Sequence, residues 1–99
     1  MEFKWEDNVL TIKLPQKIDA TNAADAEAEI DGIRNQHDAE KIILDASDME
    51  YISSAGLRVI IKLVKREKSV VVSNVSPVVY DIFAVSGFTN FITVERADA

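Results

Sequence analysis

Two adjacent serines, Ser53 and Ser54, stand just before Ala55, Gly56 and a run of apolar residues, and theirs are the hydroxyls best placed to do chemistry. Leu57, Ile60, Ile61 and Val64 follow at i, i+3, i+4 and i+7, the spacing that puts four side chains on one face of a helix. A serine at a helix start has two uses. Its oxygen can accept from the backbone N–H groups left free in the first turn. Those N–H groups and the positive end of the helix dipole also favour an anion, so the position can carry a phosphate. Residue type and spacing leave both uses open for each serine.

Other chemistry finds little support. A nucleophilic serine needs a base, and His37, the one histidine, falls in the polar stretch Gln36–Glu40 and is expected to face solvent. There is no Gly-x-Ser-x-Gly elbow, and Gly32, Gly56 and Gly87 are too isolated to form a phosphate-cradling loop. With no cysteine and one histidine, neither a disulfide nor a metal site is expected, and no cofactor. The net charge of −6, with acids spread along the chain, argues against a nucleic-acid surface. The local exception is Arg58, Lys62, Lys65, Arg66 and Lys68, which read either as the solvated face of the helix or as a surface that steers an acidic partner. No apolar run approaches a membrane span, and Met1–Glu6 lacks the apolar core of a secretory signal, so membrane insertion is not expected and a cytoplasmic setting is.

The elements that must position the serines follow from periodicity. Phe3 and Trp5, then Leu10, Ile12 and Leu14, alternate with polar residues around Glu6-Asp7-Asn8, predicting a hairpin with one buried face. Asp19-Ala20-Thr21-Asn22 offers candidate caps for a helix to about Asn35, with Ala23, Ala26, Ile30 and Ile33 as its apolar stripe. Lys41–Asp45 reads as a strand buried on both faces, and Asp45 either bonds loop amides at its end or serves the site beyond. After the serine-led helix come a strand over Ser69–Ser73, a helix opened by Ser76-Pro77 with Val79, Ile82 and Phe83 inward, and a stop at Gly87. Phe91–Val94 reads as a last strand before a polar tail to Ala99. The fold class is therefore α/β, one domain over residues 1–99, in the order β-β-α-β-α-β-α-β. Its sheet is mixed and mostly parallel, with an N-terminal antiparallel hairpin.

With these residues in place, the chain resembles a STAS domain of the anti-sigma factor antagonist family. The most specific part is Leu44-Asp45 followed by Tyr51-Ile52-Ser53-Ser54-Ala55-Gly56-Leu57; Asp19–Ala23 and Ser76-Pro77 through Ser86-Gly87 match in order and spacing. The resemblance implies a protein that, unphosphorylated, binds an anti-sigma factor serine kinase and frees a sigma factor. Phosphorylation then ends the association, and a serine phosphatase restores it. On the family pattern the acceptor lies two residues before the glycine, which is Ser54, with Ser53 the alternative. The implied partner surface comprises Asp19, Ser53, Ser54, Gly56 and Arg58. Asp19 is also a candidate helix cap, and Gly56 would admit either a partner's backbone or a tight internal contact. The other reading of the same fold is a scaffold module in another signalling assembly or in a membrane transporter complex.

Overall fold

The hairpin forms where alternation requires it. In a computed structural model, which describes residues 1–97, strands β1 (Phe3–Glu6) and β2 (Val9–Lys13) pair antiparallel around Asp7 and Asn8. Those two residues take φ of 52° and 63°, the left-handed conformation that Asp and Asn tolerate and a two-residue hairpin demands. Asp98 and Ala99, the end of the expected tail, lie outside the described residues.

The remaining elements are β3 (Lys17–Ile18), α1 (Ala23–Asn35), β4 (Lys41–Asp45), β5 (Tyr51–Ile52), α2 (Ser54–Arg66), β6 (Val70–Val75), α3 (Pro77–Val85) and β7 (Thr93–Arg96). The main sheet runs β1-β2-β4-β6-β7, parallel from β2 onward. Each helical crossover steps in the same direction along this order, so right-handed connections place all three helices on one face. Leu10, Ile12, Ile42, Leu44 and Val72 point to that face and are buried. Thr11, Ile43 and Val71 point away and are only half-buried, so β4 alternates and is not covered on both sides as its composition suggested.

Three other expectations need correction. Phe3 and Trp5 stay largely exposed and flank His37, each ring centroid 5.1 Å from the imidazole. His37 is thus half-buried, its Nδ1 2.7 Å from the Ile33 carbonyl oxygen, and does not stand free in solvent. The last strand begins at Thr93: Gly87, at φ 80°, ends α3 as expected and turns the chain into a short 3-10 turn over Phe88–Asn90. That turn drives Phe88 into the core beside Phe83 and leaves Phe91 outside.

The third concerns the face of α2. Its buried residues are Gly56, Leu57, Val59, Ile60 and Leu63, while Ile61 is exposed and Val64 half-buried. The helix is rotated toward α1, where Lys62 pairs with Glu27 at 3.4 Å and Arg66 with Asp31 at 2.7 Å. Arg34 of α1 meets Glu67 at 2.7 Å from the other side. Two of the five cations on α2 and its end are therefore engaged by α1.

Candidate functional site: two helix starts tied by a small ladder

Two strands too short to show a period build the site. β3 and β5 pair in parallel, Lys17 opposite Tyr51 and Ile18 opposite Ile52, and the Ser53 amide continues the ladder by donating to the Ile18 carbonyl at 2.9 Å. Asp19 follows β3 directly and Ser53 follows β5 directly. The start of α1 and the start of α2 consequently lie side by side, as parallel strands leading into both helices required.

At the first start the cap is Asn22, not Asp19, and it makes no side-chain bond to the helix. The Asn22 amide instead braces the approach, its Oδ1 accepting from the Asp19 amide at 2.8 Å and its Nδ2 donating to the Lys17 carbonyl at 2.8 Å. Asp19 offers its carbonyl to Ala23, while its carboxylate accepts from the Thr21 amide and hydroxyl. The Thr21 hydroxyl bond foremost, then its amide, hold the Asp19 carboxyl below its usual value against a small burial penalty, with Lys17 adding to the effect. Asp19 is thus ionised in a half-buried turn, and among the described residues its carboxylate bonds no N–H of the helix.

At the second start the serines divide the work. Ser53 is the cap, extended at φ −92° and ψ 177°, with its Oγ accepting from the Gly56 amide at 3.4 Å. Ser54 is the first helical residue; it is exposed, and its hydroxyl has no protein partner among the described residues. Arg58 lies one turn further along, also exposed. Gly56 points inward: an added Cβ would come within 2.6 Å of Ile52 Cγ1 and 2.8 Å of the Ile18 carbonyl oxygen. The close approach that glycine permits is therefore to its own ladder, not to a partner.

Asp45 makes the bonds at the end of its strand. Burial raises its pKa, but bonds from Asn74 at 3.1 Å and the Ser47 amide at 3.0 Å, together with Lys13, outweigh that and hold the carboxyl low. Asn74, at φ 58°, links the end of β6 to the end of β4 through this bond.

Sequence reasoning missed the wall beside the serines. Tyr51, Leu57, Ile82 and Val85 line a shallow groove of about 460 Å³ that also includes Ser53, Ser54 and Asp81. Val85 is 89% exposed. An available signal was that Val78 and Val85 are apolar at positions of α3 that its core spacing does not use. Among the described residues no cluster of His, Cys, Asp or Glu could hold a metal, and no helix is long and apolar enough to cross a membrane.

Comparison with known proteins agrees with this geometry. The STAS domain family matches residues 1–97. BtrV of Bordetella bronchiseptica, named as an anti-sigma factor antagonist, is 32% identical over 95 residues, covering 92% of this chain and 81% of BtrV. A Thermotoga maritima structure described in the same terms superposes with a TM-score of 0.81 at 22% identity, covering 95% of this chain and 84% of that one. The anti-sigma factor antagonist SpoIIAA in its unphosphorylated form gives 0.71 at 21% identity, covering 94% and 87%. Its phosphorylated form, from Bacillus, gives 0.61 at 20%, covering 94% and 90%. A sheet with helices on one face, a serine-capped α2 and a match spanning residues 1–97 make this chain a member of the STAS domain family, within its group of anti-sigma factor antagonists.

Proposed function

We propose that this protein is a phosphorylation-controlled antagonist of an anti-sigma factor, acting in the cytoplasm as a binding switch with no catalysis of its own. Unphosphorylated, it binds an anti-sigma factor that is also a serine kinase, and a sigma factor is released. The kinase phosphorylates Ser54, the complex separates, and a serine phosphatase returns the protein to its binding form. The observation that carries this reading is the division between the serines: Ser53 spends its oxygen on the cap, while Ser54 offers a free hydroxyl at the first helical position. SpoIIAA, solved with and without phosphate, supports a switch in this fold.

Physical chemistry favours a switch of surface over a switch of fold. Phosphate adds about −1.5 to −2 charge and three acceptor oxygens. At the start of α2 the dianion gains about 0.3–1 kcal/mol from the helix dipole, so the domain keeps its structure. A partner seated on the groove beside Ser54 would meet that anion at an apolar surface next to Asp81, and the contact would lose free energy through desolvation and repulsion. Asp19, Ser54 and Arg58 form the proposed contact. Ser53 and Gly56 support it from behind, as cap and as the close packing on β3.

The test is to incubate the protein with the cognate kinase and ATP and to map the modified residue by mass spectrometry. Phosphate on Ser54, lost in Ser54→Ala while kinase binding persists, is the expected result. Phosphate on Ser53 would move the acceptor by one residue, and no phosphate at all would end the switch reading.

A further inference from the structure

A second surface lies on α2 away from the serines. Ile61, Val64 and Lys65 form one wall and Phe88 and Phe91 the other of an apolar groove of about 500 Å³. Phe91 is 78% exposed at its rim, and neither Ile61 nor Phe91 serves the core. The groove is centred near residue 63, some nine residues past Ser54, so about 13 Å along the helix at about 1.5 Å per residue.

Its charge is one-sided. Arg58, Ile61 and Lys65 recur at i, i+3 and i+7, so Lys65 on the α2 wall and Arg58 beyond its end form a cationic ridge of two residues, and α2 contains no acidic residue. Lys62 is neutralised by Glu27, but among the described residues neither Arg58 nor Lys65 pairs with a carboxylate. The facing wall, Phe88-Thr89-Asn90-Phe91, carries no charge. An unneutralised cationic ridge beside an apolar trough runs against a chain whose net charge is −6.

We propose that this groove docks an amphipathic helix of a partner protein, with an apolar stripe seated between Ile61 and Phe91 and acidic residues along the flank that meets Arg58 and Lys65. Helix-in-groove recognition needs this pairing of trough and flank. A second copy fits less well, because a two-fold contact would set the cationic ridge against its own image. An anionic lipid surface would set its charge against the whole net-negative chain, whereas an acidic helix meets the cationic edge alone. The inference uses no hydroxyl of the serine site and shares with the proposed switch contact only Arg58, which does not line the groove itself.

The test uses the full chain and a fluorescent synthetic peptide with leucines at i, i+4 and i+7 and glutamates along one flank. We expect saturable binding that weakens at least about tenfold between roughly 0.05 and 0.5 M salt, where the Debye length shortens severalfold. Lys65→Glu should give a comparable loss, and a peptide with lysines replacing the glutamates should not bind. Phe91→Ser should abolish binding with an unchanged melting temperature, since the ring is already exposed. Ser54→Ala should bind the peptide as the parent does. Failure of the acidic peptide to bind at millimolar concentration would overturn the proposal. So would equal binding by Phe91→Ser and Lys65→Glu, tighter binding to vesicles containing anionic phospholipid, or a dimer in sedimentation that Phe91→Ser dissolves.

Discussion

Helices α2 and α3 both begin with a serine cap, and the difference between the two starts separates structure from function. Ser53 Oγ accepts from Gly56 at 3.4 Å, and Ser76 Oγ accepts from Val79 at 3.3 Å, so the caps are near copies. The next residue differs. After Ser76 comes Pro77, which has no N–H to satisfy and the φ a first helical residue needs, and the start is finished. After Ser53 comes Ser54, a second hydroxyl that the cap does not require. Only the α2 start is laced to another helix start, through the β3–β5 ladder. One serine makes a helix; the extra one, on a braced and exposed corner, is left for the phosphorylation proposed above.

The largest expected effect breaks the symmetry outright. Ser54→Ala should remove phosphorylation altogether while leaving the melting temperature within error, because the hydroxyl has no protein partner among the described residues. Ser54→Asp should lower affinity for the kinase at least about tenfold, equivalent to about 1.4 kcal/mol. Ser76→Ala should leave phosphorylation untouched. Phosphotransfer rates and binding isotherms on the three variants check this, and a Ser76 effect on transfer would undo the comparison.

Next in size is Gly56→Ala. The added methyl would meet Ile52 and the Ile18 carbonyl, and overpacking of that kind costs about 1–3 kcal/mol. Gly32 is the control: it lies within α1 with nothing near its missing Cβ, and alanine there should stabilise by about 0.5–1 kcal/mol. Thermal melts on both should move in opposite directions. Equal and small shifts would mean that the β3–β5 packing yields easily.

Smaller still are the caps themselves. Ser53→Ala and Ser76→Ala should each cost about 0.5–1 kcal/mol, the low end for caps because both bonds are long. Denaturant midpoints should fall by similar amounts; a much larger loss at Ser53 would show that the ladder depends on the cap.

These contrasts also explain what the sequence reveals and what it hides. Ser76-Pro77, Gly87 and the serine pair are legible because capping chemistry is local: a hydroxyl, a ring or a missing Cβ acts on its own turn. The β3–β5 ladder is hidden because two-residue strands carry no period, and its register is set by packing Ile18, Ile52 and Gly56 together. The face of α2 is not fixed by spacing because Leu57, Val59, Ile60, Ile61, Leu63 and Val64 offer more than one apolar face. The core takes Leu57, Val59, Ile60 and Leu63, with Lys62 and Arg66 paired to α1 at its edge, and the spare face becomes the groove against Phe88 and Phe91. His37 escaped because only the fold brings Phe3 and Trp5 over it.

Asp45 supplies a pH test of the scaffold beneath the serine loop. Its folded pKa is depressed below the ordinary 3.8, so its contribution to stability is complete above that value and is lost as pH falls through the lower folded value. Asp45→Asn should therefore melt below the parent at neutral pH. The two melting temperatures should converge as the solution is acidified below about 3.9. A constant gap across that range would mean that the carboxylate charge contributes nothing to holding Asn74 and Ser47.

The smallest stability effect, and the sharpest test of the partner surface, belongs to Asp19. Its carboxylate binds Thr21 and lies 3.8 Å from Lys17 Nζ, and the brace that carries the chain into α1 is Asn22, reaching back to the Lys17 carbonyl and to the Asp19 amide. Asp19→Ala leaves those backbone bonds and the β3–β5 ladder in place, so the melting temperature should scarcely change. The anion it removes, however, follows the strand that pairs with the one leading to the serines, and under the proposed function a kinase would seat both helix starts at once. Phosphorylation of Ser54 should slow, with the loss in apparent affinity and Ser54 still the residue modified. Asn22→Ala is the counterpart: it should lower the melting temperature by loosening the brace while retaining the Asp19 charge. Slowed kinetics with unchanged stability in Asp19→Ala would identify a contact. Normal kinetics would leave Asp19 with no role beyond its turn with Thr21, and the partner surface would contract to Ser54, Arg58 and the groove wall of Tyr51 and Val85.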